Sequence, residues 1–361
     1  MEHRIAIIGV GAIAEVFAKG IAELPNATLV AASCRTRDKG EAFAAMHGCK
    51  WFADYETMLD EARPSIGVIC TPSGAHLEPA RACAKRSIHM LCEKPIEITT
   101  ARIEQMIAAA KEHRVLLGGI FPQRFNAINQ VIHAAASAGR FGSLACISVS
   151  VPWWREDAYY GPGRWQGTAK LDGGGAMMNQ SIHSIDLMQW IVAAAMPDLP
   201  PRGNPVEEVF AYTAQRGHEN SRLEVEDMAV AVLRFRNGAL GQILASTSMY
   251  PGSLRRMTIG GRDGTLESHE DELLTYKFRE EQPDDEATRQ RFSGATQHGG
   301  GAGSNPMAFN HTNHRHNIAA FLKAIEEKRQ PELDGHEAAK AVAIIEACYE
   351  SARTSRPVKI G

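Results

Sequence analysis

Short apolar runs alternate with amphipathic stretches over the first third of the chain. Arg4–Ile8 is an Ile-rich run that reads as a buried parallel strand. Thr28–Ser33, Ser65–Cys70, His89–Glu93 and Val115–Gly119 repeat the pattern. Apolar residues at helical spacing fill the intervals, as in Glu15–Ala22, Ala75–Lys85 and Thr100–His113. Strand and helix in alternation predict a parallel, doubly wound sheet with a ligand crevice at the carboxyl ends of its strands. Phe121-Pro122-Gln123-Arg124 marks a crossing, which divides the chain into domains 1–121 and 122–361. Beyond a helix at Ala127–Ala138 the period falls to two. Leu144–Val151, Val206–Gln215, Asp227–Phe235, Leu240–Met249 and Arg255–Gly260 alternate as half-buried antiparallel strands do. One face of such a sheet meets a core, and the other is left for a subunit contact. Glu280–Pro306 is polar and glycine-rich and reads as a mobile surface loop, followed by helices at Asn317–Lys328 and Glu337–Ala352.

Composition narrows the classes. A chain of 361 residues is long for one core, which fits two domains. A formal net charge of −3 argues against a nucleic-acid surface, and no apolar run reaches membrane-span length. Seven scattered cysteines without a C-x-x-C pair read as reduced thiols. Together with the lack of a leader pattern, they predict a cytoplasmic protein.

The candidate chemistry starts at the first strand. Gly9-Val10-Gly11-Ala12-Ile13-Ala14 lies between a strand and a helix, the context in which G-x-G-x-x-A binds a dinucleotide. Gly9 allows the tight turn, Gly11 the approach of a pyrophosphate, and Ala14 close packing of helix on strand. Free N–H groups at Ala12, Ile13 and Ala14 would face the phosphates. Strand two ends in Ser33-Cys34-Arg35-Thr36-Arg37. Cys34 takes the position where an NAD site presents an acid to the ribose, and Arg35, Thr36 and Arg37 suit a 2′-phosphate. The preferred cofactor is therefore NADP, with NAD possible if Asp38 serves as the ribose-binding acid.

Glu93-Lys94-Pro95 ends a predicted inner strand, so Lys94 is either a crevice residue or a solvated turn. Gly173-Gly174-Gly175 precedes a helix on which Asn179, His183 and Asp186 share a face at i, i+4 and i+7. His183 suits proton exchange with a hydroxyl near neutral pH; the other reading is a buried histidine satisfied by Asp186. Trp153, Trp154, Arg155, Tyr159, Tyr160, Arg164 and Trp165 form an aromatic and cationic cluster that suits a carbohydrate, or else core or interface packing. Arg124, Trp153, Tyr160, Trp165, Asn179 and His183 are the candidate substrate contacts. His311, His314 and His316 lack a carboxylate or thiol at ligand spacing and read as a helix start, so no metal is expected.

With these pieces in order, the chain resembles the family of glucose–fructose oxidoreductase, inositol dehydrogenase and rhizopine catabolism proteins (Gfo/Idh/MocA). The marks are the glycine turn at Gly9, Thr71-Pro72-Ser73 with His76, Glu93-Lys94-Pro95, and Gly173–Gly175 leading to His183 and Asp186. Near the end, Asp334-Gly335 opens a helix that closes at Ser351–Thr354, and Pro357-Val358 follows. The resemblance implies an α/β protein. Its parts are an N-terminal Rossmann doubly wound parallel sheet and a C-terminal α/β domain with an open, mostly antiparallel sheet. It implies that Lys94 orients the substrate, that His183 exchanges its proton, and that Thr71, Pro72, His76 and Glu93 lie near the nicotinamide.

Many relatives carry Asp where this chain has Asn179. An amide orients a hydroxyl but is no carboxylate base, which shifts acid–base work to His183 and Lys94. The expected reaction is hydride transfer between a nicotinamide and a secondary alcohol or ketone of a sugar, polyol or related cyclic compound. The expected partner is a second copy of the chain, as homodimer or homotetramer, with neither nucleic acid nor membrane. An NAD-dependent glycosidase working by oxidation and elimination, a cofactor-binding regulator without catalysis, and an oxidoreductase of aromatic diols are the competing classes.

Overall fold

A computed structural model describes residues 2–218, 222–294 and 311–361. The chain forms two compact units, Met1–Phe125 with Phe309–Ala339, and Asn126–Ala308 with Lys340–Gly361. The first unit thus runs past residue 121 and takes back a segment that the sequence pattern assigns to the C-terminal domain.

The first unit holds six strands: β1 (His3–Ile8), β2 (Ala27–Ser33), β3 (Lys50–Phe52), β4 (Ile66–Ile69), β5 (His89–Cys92) and β6 (Leu117–Gly119). They form one sheet in the order β3-β2-β1-β4-β5-β6, and every pairing is parallel. Helices α1 (Ala12–Ala22), α2 (Arg37–His47), α3 (Tyr55–Ala62), α4 (Leu77–Lys85) and α5 (Thr100–Glu112) connect them. Strand order reverses direction between β1 and β4, which puts the ligand-binding switch point at the carboxyl ends of those two strands.

Helix α9 (His311–Glu326) returns to this unit, where its apolar face joins the core. Ile318, Phe321 and Leu322 are buried with Phe17, Ile21 and Ile7. Asn317 pins it: its Oδ1 accepts from the Phe121 N–H at 3.0 Å and its Nδ2 donates to Gly119 O at 3.3 Å.

The second unit is an eight-stranded sheet. Its strands are β7 (Leu144–Pro152), β8 (Val206–Ala214), β9 (Met228–Phe235), β10 (Leu240–Ser246), β11 (Arg256–Gly261), β12 (Gly264–His269), β13 (Glu272–Phe278) and β14 (Val358–Lys359). Their order is β13-β12-β11-β7-β10-β9-β8-β14, antiparallel throughout except for the parallel pair β7/β10. Ile147, Val149, Leu233, Ile243 and Ile259 line the buried face. Helices α6 (Ala127–Ser137) and α7 (Ile182–Ala194) pack on each other, and α7 lies on β7. Tyr212, Val232, Leu240 and Leu274 stand on the open face, between 48% and 64% exposed.

The expected loop at Glu280–Pro306 is corrected in its first half. Asp285–Phe292 is a helix, α8, fixed where the Asp285 carboxylate accepts from Arg140 at 2.6 and 2.7 Å. The acidic composition that suggested a loop instead supplies a buried ion pair. Residues 295–306 lie outside the described residues. The last helix, α10 (Gly335–Thr354), contains the boundary between the two units.

Candidate active site

In the first unit the motif residues gather at the carboxyl ends of the strands. Gly9 follows β1 with φ +97°, and its N–H donates to Ser33 O at 2.9 Å. A Cβ there would come within 2.8 Å of the Cys70 carbonyl carbon and oxygen and 2.9 Å of Thr71 N, at the end of β4. Only glycine fits both the dihedral and the space. Gly11 caps α1 in extended backbone, and a Cβ added to it meets no atom within 4 Å. That open space, at the helix start that presents the N–H groups of Ala12 and Ile13, fits the pyrophosphate of a dinucleotide. The expected free N–H at Ala14 is corrected, because it donates to Gly11 O at 3.1 Å and closes the first turn. Ala14 is fully buried in the sheet–helix contact.

Strand β2 ends at Ser33, so Cys34 holds the position after the strand, and its thiol donates to Thr36 O at 3.2 Å. Arg35, Thr36 and Arg37 are exposed, and Arg37 pairs with Glu41 at 2.8 Å on the outside of α2. Asp38 belongs to the first turn of that helix.

Thr71 and Pro72 lead from β4 into a short turn, where Thr71 Oγ1 donates to Ala75 O at 3.0 Å. His76 is 1% exposed. Its Nε2 lies 2.9 Å from Thr71 O and its Nδ1 3.0 Å from Pro95 O. The ring lies between the Thr71 turn and the turn after β5; burial lowers its pKa below the ordinary histidine value, and the neutral ring has one N–H to give to one of the two carbonyls.

Glu93 is buried; its Oε2 accepts the Lys94 N–H at 2.9 Å and its Oε1 lies 3.7 Å from His314 Nε2. Lys94 itself is half-buried, and its bond to Pro95 is cis. Arg124 is buried in an ion pair with Glu337 at 3.0 Å. His311, His314 and His316 open α9 as expected. His311 reaches Glu23 at 2.6 Å, whereas His314 lies edge-on to Phe17 with ring centroids 5.6 Å apart.

In the second unit Gly173 turns the chain with φ +73°, and the two glycines after it serve packing. A Cβ on Gly174 would run into the Tyr349 hydroxyl, and one on Gly175 into Glu226 O. Glu226, absent from the sequence expectations, organises this turn. Its carboxylate accepts from Gly175 N at 3.0 Å, Met177 N at 2.8 Å and Tyr349 OH at 2.9 Å. Burial raises its pKa, and those three bonds oppose the shift.

The segment that follows is not α-helical at once. Ala176–Ser181 is a π-helical turn, and α7 begins at Ile182. The expected α-helical face of Asn179, His183 and Asp186 is corrected accordingly: a π turn holds more residues than an α turn, which rotates Asn179 off that line. Such turns recur at functional sites. His183 is half-buried in the first turn of α7, and Asp186 is 1% exposed and accepts from Gln189 at 3.3 Å.

Asn179 is buried and donates to Asp172 Oδ1 at 2.5 Å. Gln180 Nε2 donates to Asn179 Oδ1 and to Tyr159 OH, each at 3.0 Å, and Arg155 Nη2 donates to Gln180 Oε1 at 2.9 Å. The Arg155 guanidinium stands 5.1 Å from the Trp153 ring centre. Trp153 is 7% exposed, Tyr160 is 4% exposed and donates to Thr247 at 2.9 Å, and Trp165 is half-buried. Burial lifts the phenol pKa of Tyr159 to about 12, so it stays neutral as the acceptor of Gln180.

His218 locks the back of this cluster. It lies 2.8 Å from Asp227 Oδ2 and 2.7 Å from Arg155 O, with Trp154 stacked on it at 5.4 Å. Burial opposes its charge, but the bonds to Asp227 and the Arg155 carbonyl outweigh burial and raise its pKa. Asp172, Gln180, His218, Glu226 and Asp227 thus join the candidate site, and the sequence reading did not select them. The only signals were Asp172 directly before the glycines and the acidic pair Glu226-Asp227 at the start of a strand.

Comparison with known proteins matches both halves of the chain to one family. The model described as "Oxidoreductase family, NAD-binding Rossmann fold" covers residues 3–120, and "Oxidoreductase family, C-terminal alpha/beta domain" covers 135–360. Myo-inositol 2-dehydrogenase of Thermotoga maritima is 25% identical over 367 residues, spanning 99% of this chain and 98% of its own. 1,5-anhydro-D-fructose reductase of Ensifer adhaerens is 24% identical over 365 residues, with 99% and 98% covered. Among solved structures, the WlbA dehydrogenase of Bordetella pertussis in complex with NADH and UDP-GlcNAcA superposes with a TM-score of 0.86. It is 30% identical, with 100% of this chain and 98% of that one covered.

Proposed function

This chain belongs to the Gfo/Idh/MocA family of nicotinamide-dependent oxidoreductases, and we propose that it interconverts a secondary alcohol and a ketone on a sugar, polyol or related cyclic compound with NADP(H) preferred. The observation that carries the reading is the convergence in the first unit. The glycine turn, the Cys34–Arg37 loop, the Thr71 turn and Lys94 all occupy carboxyl ends of strands in a 3-2-1-4-5-6 sheet. A bound nicotinamide supplies the hydride acceptor or donor. Lys94 would stabilise the alkoxide that develops at the reacting carbon, the work of a fixed cation in a low-dielectric site. His183 would take or return the hydroxyl proton. Asn179 would orient a neighbouring hydroxyl, and Trp153 and Trp165 would offer ring faces to the sugar; Tyr160 and Arg124 are buried, Arg124 in its ion pair with Glu337.

The NADP preference rests on Cys34, an uncharged residue at the ribose position, beside exposed Arg35 and Arg37. The end of β2 at Ser33 supports it by leaving Asp38 within α2. The test compares kcat/KM for NADP+ and NAD+ on a panel of sugars, polyols, glycosides and a UDP-linked uronate, the last because of the full-length likeness to WlbA. Higher efficiency with NADP+, reduced in Arg35→Ala, is expected. Equal or better use of NAD+ overturns the cofactor assignment, and inertness toward the whole panel overturns the substrate class.

The open face of the eight-stranded sheet supports self-association into a homodimer or homotetramer. Tyr212 pairs with Val230, Val230 with Leu244, and Phe210 with Val232, which gives an apolar patch across β8, β9 and β10, bordered by Gln242 opposite Val232 and Arg234 opposite Leu240. A cytoplasmic setting fits the seven cysteines, all of which stand as free thiols.

A further inference from the structure

A row of side chains in the second unit, buried except for the half-buried Gln180, has its hydrogen-bond direction fixed by its two ends. The Arg155 guanidinium offers only donors, and the Asp172 carboxylate only acceptors. Two amides lie between them. Arg155 Nη2 donates to Gln180 Oε1 at 2.9 Å, Gln180 Nε2 to Asn179 Oδ1 at 3.0 Å, and Asn179 Nδ2 to Asp172 Oδ1 at 2.5 Å. Turning either amide over would set N–H against N–H or oxygen against oxygen. The other Asp172 oxygen accepts the Gly167 N–H at 2.7 Å, and the residue is 0% exposed.

We propose that Asp172 is a positioning residue for the reaction: it holds the Asn179 amide with nitrogen toward residue 172 and oxygen toward Gln180. Through Gln180 it couples the orientation of Asn179 to Arg155 and the Trp153 loop. The inference rests on the reading that Asn179 meets a substrate hydroxyl. The carboxylate gives one oxygen to the Gly167 N–H and the other to Asn179 Nδ2. An amide at position 172 has one oxygen and one NH2, so Asp172→Asn leaves one donor facing another. Asn179→Asp sets two carboxylates in contact, and one of them must hold a proton. The double variant Asp172→Asn/Asn179→Asp keeps the net charge. It also keeps an acceptor toward Gln180, with the donor between the two positions reversed.

The test uses the full-length wild type, both single variants and the double variant. Urea unfolding midpoints are measured with kcat and KM from pH 5 to 9 on the best substrate of the panel. Asp172→Asn is expected to lower kcat at least about 10-fold while the KM for cofactor stays within about 2-fold, the size of loss that follows removal of a positioned hydrogen bond. Asn179→Asp is expected to add an ionisation to the pH–rate profile that the wild type lacks. The double variant is expected to lose that ionisation and to recover an unfolding midpoint above both single variants. If the wild type turns over substrate and Asp172→Asn keeps its kcat, or the double variant is no better than the worse single one, the positioning role is overturned while the oxidoreductase reading stands. A wild type inert on the whole panel removes that reading and the role of Asp172 with it.

Discussion

Adding one methyl group at Gly9 and at Gly11 perturbs two points of the same turn and is expected to give opposite results. At Gly9 the methyl is forced into φ +97°, which costs an L-residue about 1–2 kcal/mol. It also lands 2.8 Å from the Cys70 carbonyl and 2.9 Å from Thr71 N. Those are backbone atoms that cannot rotate away, and overpacking of this kind costs about 1–3 kcal/mol. The sum, about 2–5 kcal/mol, is a large part of the roughly 5–15 kcal/mol that holds a domain folded. At Gly11 the backbone is extended, with φ −138° and ψ −171°, and the methyl enters open space. The fold should be unharmed or gain about 0.4–1 kcal/mol through the unfolded chain. The methyl does occupy the approach of the pyrophosphate. Losing one charge-assisted bond there, about 1.5–3 kcal/mol, weakens cofactor binding roughly 10- to 150-fold. Urea unfolding followed by circular dichroism, and titration of NADPH fluorescence, separate the two effects. A Gly11→Ala protein that binds NADPH as tightly as wild type would refute the phosphate assignment. A Gly9→Ala protein as stable as wild type would refute the steric one.

Lys94→Ala and His183→Ala should each lower kcat by about 10²–10⁴ with NADPH still bound and the fold intact; near-normal turnover in either removes that residue from the chemistry. Glu226→Gln replaces one acceptor oxygen by an NH2 that faces Gly175 N–H, Met177 N–H or Tyr349 OH. It should destabilise the protein by about 1–3 kcal/mol in urea unfolding, and an unchanged midpoint would show that the glycine turn does not depend on it. The His218–Asp227 pair makes stability depend on pH. His218 has a raised pKa, so its contribution is complete below 6.5 and is lost as pH rises through the folded value. Asp227 has a lowered pKa, so its share is complete above 3.8 and is lost as pH falls through its folded value. Unfolding midpoints should therefore decline above pH 6.5, and His218→Gln should flatten that slope; an equal slope in both proteins contradicts the pairing. Light scattering at micromolar concentration should report a homo-oligomer that Val232→Glu dissociates, and a monomeric wild type would rule out the open-face contact.

Much of the first unit was legible in the sequence because its determinants are local. A buried parallel strand must be apolar along its whole length, and the glycine turn must sit directly between such a strand and a helix. Gly9, Gly11, Cys34 and Lys94 therefore announce themselves by position at strand ends, whereas Thr71 was marked only by the family resemblance. The alternation of β7 to β11 was equally legible, since one face of each strand packs on a core and the other does not. What the sequence could not supply were partners brought together across long separations. The return of α9 to the first unit depends on Phe321 and Leu322 joining the core around Phe17. The helix at Asp285–Phe292 depends on the ion pair with Arg140, a partner 145 residues away. Glu226 lies 51 residues from the Gly175 N–H that it accepts, and no motif joins them. Local periodicity records which way a side chain faces and how tightly the backbone must turn. Whether a buried carboxylate finds its donors, and whether a helix start winds as π before it winds as α, is decided only when distant segments compete for the same interior space.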